Sequence, residues 1–210
     1  MESLQHRLLP FAAQCEVIFV DGGSDDGTPE LVRPPFQLIS SAKGRGRQLN
    51  AGAGAASGDV LLFLHADSSL PEEALDDLRD VMRSHRAGCF GIRFEPSAPL
   101  LRVCQAWSNF RAWRGVMFGD QGIFIDRSLF FELGGFPDIP LMEDYRFSLT
   151  VRAAGVRGGL ARHRITTSSR RFPRSAVGQV RVMCQMARLR SLYRRGADPS
   201  DLARMYRDVR

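Results

Sequence analysis

Two short apolar runs constrain this chain more than anything else in it. Val17-Ile18-Phe19-Val20 and Val60-Leu61-Leu62-Phe63-Leu64 each empty directly into acidic residues. Runs of this length cannot cross a bilayer, and their lack of alternation predicts strands buried on both faces, as in a parallel sheet flanked by helices. The first leads into Asp21-Gly22-Gly23-Ser24-Asp25-Asp26-Gly27-Thr28, the second into His65-Ala66-Asp67. Ligands of open α/β sheets sit beyond the carboxyl ends of the strands, so Asp21 and Asp67 stand where a ligand would lie. Gly22 and Gly23 allow close backbone approach to it, although Asp-Gly loops also make ordinary turns. While the chain stays extended, His65 and Asp67 project to the same side. A carboxylate there can join a hard cation, Mg²⁺ or Mn²⁺, to a diphosphate. The plainer alternative is that Asp67 or Ser68 only starts a helix. Two strands ending in acids favour a site.

Further strand patterns occur at 36–40, 89–94, 122–125 and 159–165, and helical patterns alternate with several of them, which predicts α/β architecture with a largely parallel sheet. The clearest helix runs from Pro71 to His85, with Leu75, Leu78, Val81 and Met82 on one face and acids early, arginines late, as the helix dipole prefers. Residues 48–57, rich in Ala and Gly, make a poor isolated helix, but their small side chains suit close packing on a sheet or ligand. Short helices are expected at 128–133 and 143–154, and longer ones at 175–195 and from Asp198 through Tyr206. Trp107, Phe110 and Trp113 recur at near-helical spacing and read as packing residues.

A chain of 210 residues can bury one substantial core, and one domain spanning 1–210 is expected. It divides into two halves, 1–118 and 119–165, and a basic helical tail over 166–210. Cys15, Cys89, Cys104 and Cys184 lack metal-ligand spacing and read as reduced. Met1-Glu2-Ser3 lacks a secretory pattern, so the cytoplasm is the expected compartment. From Arg157 onward fourteen arginines oppose three aspartates, leaving residues 157–210 near +11 and the remainder near −5. Such a tail suits phosphates or the anionic inner face of a membrane, with nucleic acid the less favoured partner. A solvated helix surface is the plain alternative.

In order, Val20 to Thr28, Asn50-Ala51-Gly52, His65-Ala66-Asp67 and Glu143-Asp144 resemble glycosyltransferase family 2, whose members have the GT-A fold: a Rossmann-like, mostly parallel sheet flanked by helices. Gly44 to Ala53, Leu61 to Asp67 and Gly119 to Phe124 are similar to a bacterial subgroup named for arsenosugar biosynthesis or radical-SAM/selenodomain association. The resemblance implies inverting transfer of a sugar from a nucleotide-diphosphate sugar to an acceptor hydroxyl, with a divalent metal. For the two halves it implies nucleotide binding over 1–118 and acceptor binding or catalysis over 119–165. Asp21 then corresponds to the acid that contacts the nucleoside, and Asp67 to the last acid of a metal-binding DxD motif. His65 stands where that motif has its first acid and can bind metal or ribose. Glu143-Asp144 matches the ED motif that supplies the base, with Asp144 the first choice and Glu143 the second.

The resemblance also brings Asp120 and Gln121 near the donor sugar or acceptor, sets Arg45 and Arg47 against the diphosphate, and makes His163 a further metal or phosphate ligand. Arg45 and Arg47 read equally as surface residues, and His163 as a strand histidine. Members of the family usually open with an apolar strand internal to the sheet. This chain begins within the helix that follows it, so a sheet short of one strand is expected, with neighbouring backbone groups unpaired. Two other readings stay open, a noncatalytic nucleotide-sugar or RNA-binding protein and a nucleotidyltransferase on a related sheet. The glycosyltransferase reading requires Asp21, Asp67 and Asp144 to meet around one ligand.

Overall fold

The computed structural model describes residues 1–207, so the last three residues of the expected tail lie outside it. Helix α1 (Glu2–Leu8) precedes strand β1 (Ile18–Asp21), which pairs in parallel with β2 (Gln37–Ser40). Helix α2 (Arg45–Ala55) returns across β1 and leads to β3 (Val60–Leu62). Its small residues serve the close packing expected of them: a Cβ at Gly52 would stand 3.0 Å from Val20 Cγ2. Then come β4 (Ser68–Ser69), α3 (Ala74–Met82), β5 (Ala87–Glu95) and α4 (Pro99–Trp113). The chain continues through β6 (Phe124–Asp126), α5 (Arg127–Glu132), α6 (Glu143–Ala153) and β7 (Gly158–Ser168) to α7 (Ala176–Arg194) and α8 (Pro199–Arg207).

The sheet is mixed, which corrects the expectation of a mostly parallel one. Five strands run in the order β3-β6-β5-β7-β4. Only β5 and β7 pair in parallel there, while β6 lies antiparallel to both β3 and β5, and β4 antiparallel to β7. Continuous apolar runs report burial on two faces, and that part holds. They carry no information about strand direction, which the connections decide.

β1 and β2 form a separate two-stranded piece. Among the described residues no strand lies beside β1 on the edge away from β2, or beside β3 on the edge away from β6. The two pieces nonetheless share a core, since Val17, Phe19, Val60, Leu62 and Leu64 all pack against one apolar cluster. Glu16 ties them at one end by accepting the Ser57 N–H at 2.9 Å. Facing the gap, the Val20 carbonyl takes a hydrogen bond from the Gln48 side-chain amide at 3.2 Å.

Helices cover both faces. On one, Phe63, Phe130, Phe136 and Phe147 form an aromatic cluster, with Phe136 and Phe147 centroids 4.5 Å apart. On the other, Leu4, Leu8, Leu78, Phe90, Phe94 and Leu101 join α1, α3 and α4 to the sheet. The expected tail is no appendage. Leu189 of α7 and Leu202 of α8 are buried with Tyr145 of α6, at the start of the helix that carries Glu143 and Asp144.

Candidate active site

The turn after β3 sets the first part of the site. Past Leu64 the chain does not stay extended: the Ser68 N–H reaches the His65 carbonyl at 3.0 Å, closing a turn. His65 and Asp67 therefore diverge instead of sharing a side. The His65 ring points inward, where its Nε2 is enclosed with no hydrogen-bond partner. Burial above all, and then the nearby Arg45 charge, hold its pKa below the ordinary histidine value. Asp67, with its side chain 32% exposed, meets the Arg170 guanidinium at 3.1 Å.

Gly119 brings the second segment against the first. A Cβ there would lie 2.7 Å from His65 Nε2 and 3.2 Å from Asp144 Oδ2, so only glycine fits between them. The Gly119 N–H donates to Asp144 Oδ2 at 2.8 Å, and the Tyr145 N–H to Asp144 Oδ1 at 2.6 Å. Asp144 thus sits at the N-terminal end of α6 with both oxygens oriented by the backbone and lone pairs to spare. The residue before the pair, Met142, is buried and adopts φ 71°, a left-handed conformation uncommon outside glycine. Strain of that kind persists where surrounding structure imposes it, and here it aims the Glu143-Asp144 pair.

Asp120 follows Gly119. The residue keeps some exposed surface, yet its Oδ1 is enclosed and without a partner. Enclosure first, and the Asp144 charge second, push its pKa up to about 6, against the pull of Arg111, Arg171 and Arg45. Glu143, buried, is raised for the same two reasons in the same order, while Arg45 opposes the shift through a 3.0 Å ion pair. Three carboxyl groups from two distant segments therefore share one low-dielectric spot beside a neutral imidazole, the kind of perturbed cluster that marks a candidate site.

Several expected residues are engaged by groups of the protein itself. Asp21 lies at the end of β1, and its carboxylate turns back on its own loop. It accepts the Gly23 and Ser24 N–H groups at 2.9 and 3.0 Å and the Ser24 hydroxyl at 2.6 Å. That hydroxyl chiefly lowers its pKa. Gly22 lies against the Gln48 side chain. Asn50 is occupied at both ends of its amide by the Phe136 backbone, at 2.8 and 2.9 Å, which makes it a clamp between α2 and the loop before α6. Gln121 is fully buried and accepts the Phe118 N–H at 3.1 Å. Arg47 is engaged by Asp138, and Arg45 by Glu143.

Of the two readings of His163, the strand histidine is the one seen, since it lies in β7. Asp77 of α3 holds its ring at 3.2 Å and its backbone N–H at 2.6 Å. The pair lines a cleft of about 470 Å³ between α3 and β7 that includes none of Asp21, Asp67, Asp120 or Asp144. Asparagine, glutamine and histidine side chains serve a backbone as readily as a ligand, so their positions in a motif did not decide between the two.

Sequence reasoning missed a group of arginines. Arg111 lies 4.1 Å over the Phe118 ring and Arg190 5.9 Å from the same ring. Phe118 stacks on Tyr145, and Arg194 sits 5.6 Å from the Tyr145 ring. Among the described residues none of Arg111, Arg171, Arg190 or Arg194 has a carboxylate at ion-pair distance. Arg111 and Arg190 each have a pKa lowered by burial. The trace in the sequence is the arginine excess of the tail, read there as suiting phosphates, to which Arg171, Arg190 and Arg194 belong; nothing marked Arg111.

Among the described residues no three acidic, His or Cys side chains meet closely enough to hold a metal alone. A divalent cation here would share its coordination with substrate phosphates, as Mg²⁺ commonly does with one or two carboxylates. Asp67, partly exposed at the turn that follows β3, is the carboxylate that fits.

The sequence profile of Glycosyl transferase family 2 matches residues 2–114, more than half of the chain. The chain belongs to glycosyl transferase family 2. Its GT-A-like architecture is shared with solved structures. S. aureus TarS 1–349 superposes with a TM-score of 0.63 at 18% identity, over 80% of this chain and 57% of that one. The complex of the same protein with UDP-GlcNAc gives 0.62 at 17% identity, over 79% and 54%. A mannosyltransferase, PcManGT from Pyrobaculum calidifontis in complex with GDP-Man and Mn2+, gives 0.60 at 21% identity, over 94% and 62%. This chain therefore spans little more than half the length of the first of these structures. No curated protein sequence gives a significant match.

Proposed function

We propose that this chain transfers a sugar from a nucleotide-diphosphate sugar to an acceptor hydroxyl with inversion, using Asp144 as the base. The observation that carries the reading is the Gly119 contact, which joins His65, Asp120 and Asp144 from three separate parts of the sequence. Family membership and nucleotide-sugar complexes of similar structures support the donor class.

Asp144 keeps lone pairs free while two backbone N–H groups fix its plane, an orientation suited to receiving the acceptor proton. As the proton passes to Asp144, the acceptor oxygen bonds to the anomeric carbon from the face opposite the leaving group. The bond from that carbon to the diphosphate oxygen breaks, and the nucleoside diphosphate departs with the electron pair, through an oxocarbenium-like state. Buried Glu143 holds Arg45 in place. Arg111, Arg171 and Arg190, without carboxylate partners among the described residues, supply positive charge for the departing phosphates. A divalent cation held by Asp67 and the diphosphate would supply further charge neutralisation.

The test is Asp144→Asn. It should lower turnover by about 10²- to 10⁴-fold, measured as nucleoside diphosphate release, with donor affinity in calorimetry nearly unchanged. Unaltered turnover would reject Asp144 as the base. Pyrophosphate release from a nucleoside triphosphate would instead favour nucleotidyl transfer.

A further inference from the structure

α4 buries Leu101 and Ala112 against the sheet, yet its outward face is apolar as well. Its inward face also carries polar groups that serve β5: the Asn109 side chain accepts the Ile92 N–H at 2.8 Å and donates to the Ile92 carbonyl at 3.2 Å. Gln105 accepts the Phe94 N–H at 3.3 Å in the same way. These bonds fix the rotation of the helix. The outward face then consists of Val103, Trp107, Phe110 and Trp113, with Trp107 and Trp113 67% and 65% exposed. The expectation that these aromatic residues pack inside is overturned. Their rings pair with one another, with Trp107–Phe110 and Phe110–Trp113 centroids 6.1 and 5.8 Å apart.

The surroundings give this stripe a sign. Arg102 and Arg114 flank it at its two ends. α7 packs alongside α4 and exposes Val177, at 81%, and Val180, together with Arg181 and Arg188. Neither helix contains a single carboxylate. Two neighbouring helices without acids, showing tryptophan, phenylalanine and valine between arginines, match the interface of an anionic bilayer. Aromatic and aliphatic groups enter the headgroup–acyl boundary, and guanidinium groups meet lipid phosphates. The valines decide against nucleic acid, which offers them nothing, whereas arginine would suit either. No helix among the described residues is long and apolar enough to span a membrane, so the face would lie on one.

We infer that the outer face of α4, with the first turns of α7, docks this protein onto membranes rich in anionic lipid. The inference is independent of the transfer reaction proposed above. The chain's only two tryptophans, Trp107 and Trp113, both lie on this face, so intrinsic fluorescence reports it without a label. The full chain is titrated with vesicles of phosphatidylcholine containing phosphatidylglycerol, and separately with pure phosphatidylcholine. The expected result is a blue shift and quenching by brominated acyl chains on the anionic vesicles, weakened by salt. Phe110→Ser should cut partitioning by about tenfold, and Val177→Asp with Val180→Asp should weaken it further. These positions are exposed, and circular dichroism would confirm that the variants fold. Unshifted emission with anionic vesicles overturns the inference. So does a shift produced by RNA alone, or one that tracks protein concentration and self-association in sedimentation.

Discussion

Replacing Gly119 by alanine tests the core of the site directly. The added methyl would lie 2.7 Å from His65 Nε2, 3.1 Å from its Cε1 and 3.2 Å from Asp144 Oδ2. Ordinary carbon contacts begin near 3.5 Å, so the imidazole must retreat by roughly 0.8 Å or Gly119 must. An enclosed ring moves poorly, and overpacking of this kind costs about 1–3 kcal/mol. If Gly119 yields instead, its N–H leaves Asp144, and a misplacement approaching 1 Å can cost about 10²-fold in rate. The assay pairs thermal unfolding with nucleoside diphosphate release across a panel of nucleotide sugars. Gly54→Ala is the control. It lies inside α2 with no atom within 4 Å of the added Cβ, and should stabilise the fold by about 0.5–1 kcal/mol. His65→Ala on the Gly119→Ala background should recover much of the lost stability, because the clash loses its partner. A Gly119→Ala protein as stable and active as the parent would show that the three segments do not meet as described.

Two further predictions concern stability and the divided sheet. With its folded pKa raised to about 6 from 3.8, Asp120 favours folding at low pH, and that contribution fades as pH rises from near 4 to 6. Asp120→Asn should therefore be more stable than the parent above pH 6, by up to about 3 kcal/mol, and the gap should close towards pH 4 in denaturant titrations. In hydrogen exchange, amides should alternate along the open edges. Bonds from Gln37 N–H to Val17 and from Ser41 N–H to Asp21 set odd residues of β1 towards β2, which leaves Ile18 and Val20 facing the gap. Similarly Phe63 N–H bonds to Ile123, which leaves Val60 and Leu62 facing outward from the sheet. Ile18, Val20, Val60 and Leu62 should exchange faster than Phe19 and Leu61, and equal protection would mean that the gap is closed.

Much of the fold was legible because it is written locally. The strands around Ile18, Val60, Ala87 and Gly158 and the helices from Ala74, Glu143 and Ala176 follow from apolar period and end signals, within a few residues. Strand direction was not, since nothing in Phe124-Ile125-Asp126 states that it must run against both neighbours. In the site, acids at strand and helix ends were visible, and Asp120 and Asp144 do meet at Gly119. The neutral side chains were harder to read. Asn50, Gln121 and His163 carry the same hydrogen-bonding groups whether they serve a ligand or the protein itself, and only their neighbours decide.

α4 shows why periodicity alone fails at functional surfaces. A helical repeat of Val103, Trp107, Phe110 and Trp113 predicts an apolar face, and the usual inference buries it. Here the opposite face is buried because β5 beyond Cys89 lies past the end of β6, so its backbone groups at Ile92 and Phe94 need partners on that edge. Asn109 and Gln105 meet that need, and an unsatisfied buried amide costs about 1–3 kcal/mol. The hydrogen-bond demand of a strand edge thus turns the helix, and the aromatic face is left outside as its consequence. The same rotation carries Arg111 inward to Phe118, next to Gly119 and Asp120. One helix therefore presents arginine to the candidate catalytic carboxyls and tryptophan to the surroundings, and replacing Asn109 should disturb both.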